Sequence, residues 1–86
     1  MDSVPTDRDF GQVFATRPTR VDDLSDINGV GGPTEHELNR IGIYQFNQIA
    51  NWNANNVAAV NELLNLDGRI EQDQWVAQAQ RLARQG

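Results

Sequence analysis

Asn28-Gly29-Val30-Gly31-Gly32-Pro33 lies between two short runs of helical periodicity, residues 21–27 and 34–41. Three glycines and a proline within six residues do not sit inside one continuous helix. Glycine reaches backbone angles with positive φ that other residues avoid. A turn of this composition reverses the chain tightly and leaves N–H groups uncovered by side chains. With a helix starting just after it, those bare amides face any anion that approaches the helix end. Val30, the apolar residue inside the turn, then serves as the peg that anchors it in the core. The stretch points to binding rather than to catalysis.

Before the turn, Val21, Leu24 and Ile27 recur at i, i+3 and i+6 and predict a first helix with one apolar face. Asp22 and Asp23 fall in its first turn, where negative charge suits the helix dipole. After the turn, Thr34-Glu35-His36-Glu37 has the capping-box pattern. The Thr34 hydroxyl accepts from the Glu37 N–H while the Glu37 carboxylate reaches back. Leu38 and Ile41 face inward, and Gly42 is a natural stop. A third helix carries Phe46, Ile49 and Ala50. Asn53 caps a fourth over residues 54–64, with Val57, Val60, Leu63 and Leu64 apolar. Leu66-Asp67-Gly68-Arg69 breaks the pattern with a second turn. A last helix is expected over residues 70–84, where Trp75, Ala79 and Leu82 lie at i, i+4 and i+7 and Val76 widens the stripe. Arg81 and Arg84 in its last turn complement the dipole.

The spacing therefore predicts an all-α fold of five short helices and no strand. A helix pair flanks each glycine turn, with a connector helix between the pairs, a weak internal repeat. One hairpin this short cannot bury its apolar face alone; two together can. Residues 1–20 show no sustained periodicity and hold Pro5, Gly11 and Pro18, so a mobile tail is expected ahead of a single domain over residues 21–86. Within the tail, Phe10, Val13 and Phe14 fit one helical turn that could dock on the domain's own core or on a partner. Arg17 and Arg20 form a small basic spot.

Composition narrows the function. With 86 residues and an apolar share of 38%, the chain makes one domain with a small core. The absence of cysteine excludes disulfides and thiolate metal sites and suits a reducing cytoplasm. No apolar run is long enough to span a membrane and no signal-peptide pattern opens the chain, so a soluble cytoplasmic monomer is expected. The net charge is −5, and all seven basic residues are arginines. Such a balance opposes association with a duplex, whose phosphates are usually met by net positive charge. His36 is the single histidine and reads as an exposed helix residue, so neither a metal site nor a cofactor is expected. Asp22, Asp23, Asp26, Glu35 and Glu37 read as dipole-compensating and capping residues rather than as a two-metal cluster. Trp75 belongs to the core, while Trp52 could be core or a stacking platform for a base.

Ile27-Asn28-Gly29-Val30-Gly31, followed by a capped helix that ends in Ile41-Gly42-Ile43, resembles the helix-hairpin-helix motif. Asp22-Asp23-Leu24, Gly42-Ile43-Tyr44-Gln45-Phe46, Trp52, Gly68-Arg69-Ile70-Glu71 and Trp75-Val76-Ala77-Gln78-Ala79 extend the likeness over residues 21–83. Together they resemble the small tandem helix-hairpin-helix domain of flap-endonuclease-like type. That domain is also appended to some respiratory NADH–quinone oxidoreductase subunits and some large-subunit ribosomal proteins. The resemblance implies a SAM-domain-like orthogonal bundle and a non-enzymatic module without catalytic residues. It also implies that the glycine turn donates N–H groups to a DNA or RNA phosphate, weakly and without sequence preference. The implied nucleic-acid-binding residues are Gly29, Val30, Gly31, Gly32 and Thr34, with Arg40 and Arg69 as nearby cations. The chain departs from the motif where proline and then a basic residue usually follow the second glycine: here Gly32 and Pro33 stand, with Glu35 and Glu37 close behind. These departures keep open an alternative, a protein-interaction or scaffold domain that kept the fold and lost the phosphate site. Phe10, Val13 and Phe14 would then be its docking element.

Overall fold

The computed structural model describes residues 6–7 and 10–85. Five α-helices are present among them: α1 (Gly32–Arg40), α2 (Phe46–Ala50), α3 (Ala54–Leu64), α4 (Arg69–Gln72) and α5 (Trp75–Gln85). A two-residue antiparallel ladder in the N-terminal arm pairs β1 (Thr6–Asp7) with β2 (Gly11–Gln12), Thr6 opposite Gln12 and Asp7 opposite Gly11. It leaves the fold all-α. The count of five agrees with the sequence reading, but the five are not the same segments.

The helix expected over residues 21–27 is a single 3-10 turn, Leu24–Asp26. Two interactions hold the preceding residues extended. The Asp22 N–H donates to the Tyr44 carbonyl at 2.9 Å, and the Asp22 carboxylate accepts from the Phe46 N–H at 2.9 Å. Asp23 then caps the short turn by accepting from the Ser25 N–H at 3.2 Å. The i, i+3, i+6 spacing of Val21, Leu24 and Ile27 suits three residues per turn as well as 3.6. Leu24 and Ile27 are fully buried, as that spacing requires.

The expected last helix is split. Asp73 closes α4, Gln74 adopts a left-handed φ of 57°, and α5 begins at Trp75. The Gln78 side chain stabilises the break by donating to the Asp73 carbonyl at 2.7 Å. The step sends Trp75 into the centre of the molecule at 0% exposure. Around it lie Leu24, Ile27, Leu38, Ile49, Val60, Ile70 and Ala79, all buried. Leu63, on the same helix as Val60, is 49% exposed and stays outside this core.

Helix α1 ends in a Schellman motif. The Ile43 N–H donates to the Leu38 carbonyl at 2.9 Å and the Gly42 N–H to the Asn39 carbonyl at 3.0 Å, with Gly42 at φ +95°. A side chain at Gly42 would also meet the Phe14 backbone at 2.7 Å. The arm reaches further across the domain. The Phe14 N–H donates to the Gly42 carbonyl at 2.9 Å, the Trp52 indole N–H donates to the Phe10 carbonyl at 3.1 Å, and Phe10 and Val13 pack on the core. Of the expected tail, residues 1–5 and 8–9 lie outside the described residues.

One buried polar residue carried no sequence signal. Gln48 is 2% exposed, accepts from the Tyr44 and Gln45 N–H groups at 2.7 and 3.0 Å, and donates to the Gly42 carbonyl at 2.8 Å. It stitches the start of α2 to the end of α1. Gln48→Leu keeps the volume and strands these backbone groups, so urea unfolding should show a loss of about 2–3 kcal/mol. A loss below that of an exposed control such as Asn51→Leu would refute this role.

Candidate nucleic-acid interface

The hairpin is built from two turns in series. The Val30 N–H donates to the Ile27 carbonyl at 3.0 Å, closing a turn with Asn28 and Gly29 at its centre. Gly29 sits at φ +102°, the geometry of a type II turn, in which the third residue favours glycine. It has a second reason to be glycine. A Cβ there would collide with the Asp73 carboxylate and lie 2.9 Å from the Trp75 indole nitrogen. Gln78 fastens the outer side: its Oε1 accepts from the Asn28 N–H at 2.9 Å and its Nε2 donates to the Asn28 carbonyl at 3.2 Å. Val30, 4% exposed, plugs the turn into the core, so only its backbone can meet a ligand.

Helix α1 starts two residues earlier than the sequence suggested. Gly31 is its N-cap with extended angles, φ −90° and ψ 179°, and its carbonyl accepts from the Glu35 N–H at 2.9 Å. Pro33 falls in the first turn, where its missing N–H costs nothing. Thr34 is therefore inside the helix and is not a cap, and the Thr34–Glu37 capping box does not form. The Glu37 carboxylate turns along the helix to Arg40 at 3.5 Å.

This start leaves a row of amides open. The N–H groups of Gly31, Gly32 and Thr34 have no acceptor among the described residues. Gly31 and Gly32 are exposed. A Cβ at Gly31 would touch only the Pro33 ring, at 3.9 Å, and one at Gly32 would meet nothing within 4 Å. Neither glycine has positive φ, so backbone geometry at Gly31 does not demand glycine. Their bareness matters to whatever approaches from outside.

Electrostatics near the amides are milder than the composition implies. Glu35 does not face the opening, because its carboxylate accepts from the Leu24 N–H at 2.8 Å and caps the 3-10 turn. Glu37 lines a cleft of about 220 Å³ with Pro33, Thr34, Leu64 and Leu66, which joins the first hairpin to the end of α3. Of the two arginines, Arg40 stands apart from the amide row. Arg40 is the last residue of α1, about 12 Å along the axis from Gly32 at the usual helical rise. Its exposed i, i+3 pair with Glu37 is worth under about 0.5 kcal/mol and would release it to a better anion. Arg69 opens α4 after the second turn and makes no ion pair among the described residues. Arg17 lies 6.0 Å above the Tyr44 ring, and Arg20 pairs with Asp22 at 3.8 Å. Trp52 is 6% exposed with its N–H engaged by Phe10, which removes it as a base-stacking platform. His36 is exposed, and no group of metal-binding side chains occurs among the described residues. No helix among them is long and apolar enough to cross a membrane.

The RS2/RL21/YNQ2 HHH domain matches residues 24–83, which contain both hairpins. The large ribosomal subunit protein bL21 of Jannaschia sp. (strain CCS1) is 43% identical over 65 residues, covering 76% of this chain and 25% of that protein. The bL21 of Roseobacter denitrificans is 44% identical over 63 residues, 73% of this chain and 29% of that protein. The small ribosomal subunit protein uS2 of Methylobacterium radiotolerans is 45% identical over 58 residues, 67% of this chain and 16% of that protein. The chain thus spans under a third of these relatives' own lengths. No solved structure matches it. With the family match running from the 3-10 turn to the last turns of α5, this chain belongs to the helix-hairpin-helix domain family shared by ribosomal proteins of the bL21 and uS2 groups.

Proposed function

We propose that this domain is a non-enzymatic module that grips a nucleic-acid backbone through the N-terminal amides of α1, weakly and without sequence preference. One observation carries the reading: Gly31, Gly32 and Thr34 present N–H groups with no acceptor among the described residues, behind two glycines that pack against almost nothing. A phosphate oxygen could reach them unobstructed, and the dipole of α1 favours negative charge there. Its relatives are named as ribosomal-subunit proteins, so RNA is the first nucleic acid to offer. The flap-endonuclease-like resemblance enters this reading only through the hairpin. Arg40 and Arg69 serve as peripheral cations that lengthen the contact. The cytoplasm and a monomeric state go with this reading.

Gly31 is extended and unobstructed, so Gly31→Leu shields the amides at a folding cost of about 1 kcal/mol or less, the size of a changed N-cap. Charge-assisted hydrogen bonds contribute about 1.5–3 kcal/mol, so affinity for labelled RNA should fall about tenfold or more. Fluorescence anisotropy at low and moderate salt reads this. Saturable binding that weakens with salt, and is lost in Gly31→Leu, supports the reading. Absence of binding at low salt, or equal binding by Gly31→Leu, overturns it. A second reading, protein docking, draws on Leu63, whose exposed side chain borders a depression shared with Phe10, Ala59 and Glu62.

A further inference from the structure

We propose that Asn28 is a site of spontaneous covalent modification, deamidation, and that Gln78 sets its rate. Asn28-Gly29 is the only asparagine–glycine pair in the chain. In such a pair the Gly29 backbone nitrogen attacks the Asn28 side-chain carbonyl carbon. The new C–N bond closes a five-membered succinimide, the bond from that carbon to the side-chain nitrogen breaks, and ammonia leaves with the amide proton. Water then opens the ring at either carbonyl and gives aspartate or isoaspartate. No oxidant and no cofactor are needed. Glycine in the second position removes the side chain that would hinder the attack.

Three features of the fold expose the reactants. Asn28 is solvent-exposed. Its side-chain amide makes no hydrogen bond among the described residues, and neither does the attacking N–H of Gly29. One feature restrains them. In a type II turn the second residue is extended, near ψ +120°, which swings the nucleophile away from the side-chain carbon. Attack requires rotation about that bond, and the rotation must break what holds Asn28 in place. Those restraints are the Ile27–Val30 turn bond and the two bonds to Gln78. The Gln78 clamp is exposed, so local opening is frequent compared with global unfolding. The glutamine thus acts as a guard on a labile bond.

The product matters because of where it forms. The reaction adds a carboxylate to the turn that leads into the open amides of Gly31 and Gly32, close to the carboxylate of Asp73. A like charge there repels the phosphate these amides would bind. Ageing of the hairpin would therefore switch the interface off. This consequence rests on the phosphate-binding reading; the modification itself does not.

The full chain is incubated in neutral buffer, digested at intervals, and its peptides weighed. Circular dichroism checks that each variant stays folded. Asn28 should lose its amide before Asn51, Asn53 and Asn65, all exposed, with isoaspartate as the larger product. Gln78→Ala should speed the loss several-fold. Gln78→Glu keeps an acceptor for the Asn28 N–H but cannot donate to its carbonyl, so it should speed the loss less. If Asn28 lasts as long as Asn65 in the wild type and in both variants, the proposal fails. If Asn28 reacts first but at one rate in all three chains, Gln78 is not its guard and the proposal fails in that part. Asn28→Asp should weaken RNA binding in the anisotropy titration about as the aged chain does. A wild type that ages at Asn28 but never binds RNA overturns the phosphate reading and leaves the modification standing.

Discussion

Trp75→Ala should destabilise the domain by about 3–5 kcal/mol, the range for removing a buried large aromatic side chain. Small domains are commonly stable by about 5–15 kcal/mol, so the variant should be partly unfolded at room temperature in urea well below the wild-type midpoint. Trp75 is 0% exposed and starts α5 just after the left-handed Gln74, which places its ring among residues from α1, α2, α3 and α4. Those elements are short, and α2 and α4 are only five and four residues long. Helices of that length do not persist by propensity; they persist because a shared core holds them. Removing the ring therefore removes the common surface of four helices, with little chance of local collapse. Trp75→Phe is the control. The indole N–H is buried without an acceptor among the described residues, a donor that costs about 1–3 kcal/mol to leave unmade. Phenylalanine removes that penalty as alanine does but keeps most of the buried ring, so it should cost far less than alanine. A partner for the indole N–H would raise both losses alike, so equal losses for the two variants would mean that the buried area of the ring carries no energy.

The sequence made some of this legible and concealed the rest for physical reasons. Positions set by apolar spacing were readable: Leu24, Ile27, Leu38, Ile49, Val57, Val60, Trp75 and Ala79 are buried. So was Asn53, whose side chain accepts from the Asn56 N–H at 2.8 Å, because a cap beside a periodic run is a local signal. What the spacing could not give was anything set by a distant partner. The segment before Leu24 stays extended because Tyr44 and Phe46 bind Asp22, 22 and 24 residues away. The break at Asp73–Gln74 depends on Gln78, which in turn depends on Asn28, 50 residues off. At the candidate site the glycine turn itself was apparent, but the two roles of its glycines were not. Gly29 answers to backbone angle and to Asp73 and Trp75, whereas Gly31 answers to neither. Glu35 looked like an obstacle to phosphate because its partner, the Leu24 amide, belongs to a turn that the sequence drew as a longer helix.

Gly29→Val should cost about 3 kcal/mol or more, which makes it the most severe single substitution in the hairpin. Two penalties combine. A β-branched residue at φ +102° is held in a region it does not occupy without strain. Its Cβ also overlaps the Asp73 carboxylate and lies 2.9 Å from the Trp75 indole nitrogen. The carboxylate is the end of a flexible side chain and can swing away, but the indole is packed on every side and cannot. Asp73→Ala in the Gly29→Val background should therefore restore only a minor part of the loss, and a double-mutant cycle measures that part directly. Gly31→Val provides the contrast two residues along, in extended backbone with only the Pro33 ring within 4 Å. It should cost about 1 kcal/mol or less. Urea midpoints for the five chains, the four of the cycle and Gly31→Val, decide the matter. Similar losses for Gly29→Val and Gly31→Val would mean that the hairpin glycines are interchangeable and that the anchoring of Gly29 against Asp73 and Trp75 carries no energy. A large loss at Gly29 beside a small one at Gly31 separates the glycine that the fold requires from the glycine left free to meet a ligand.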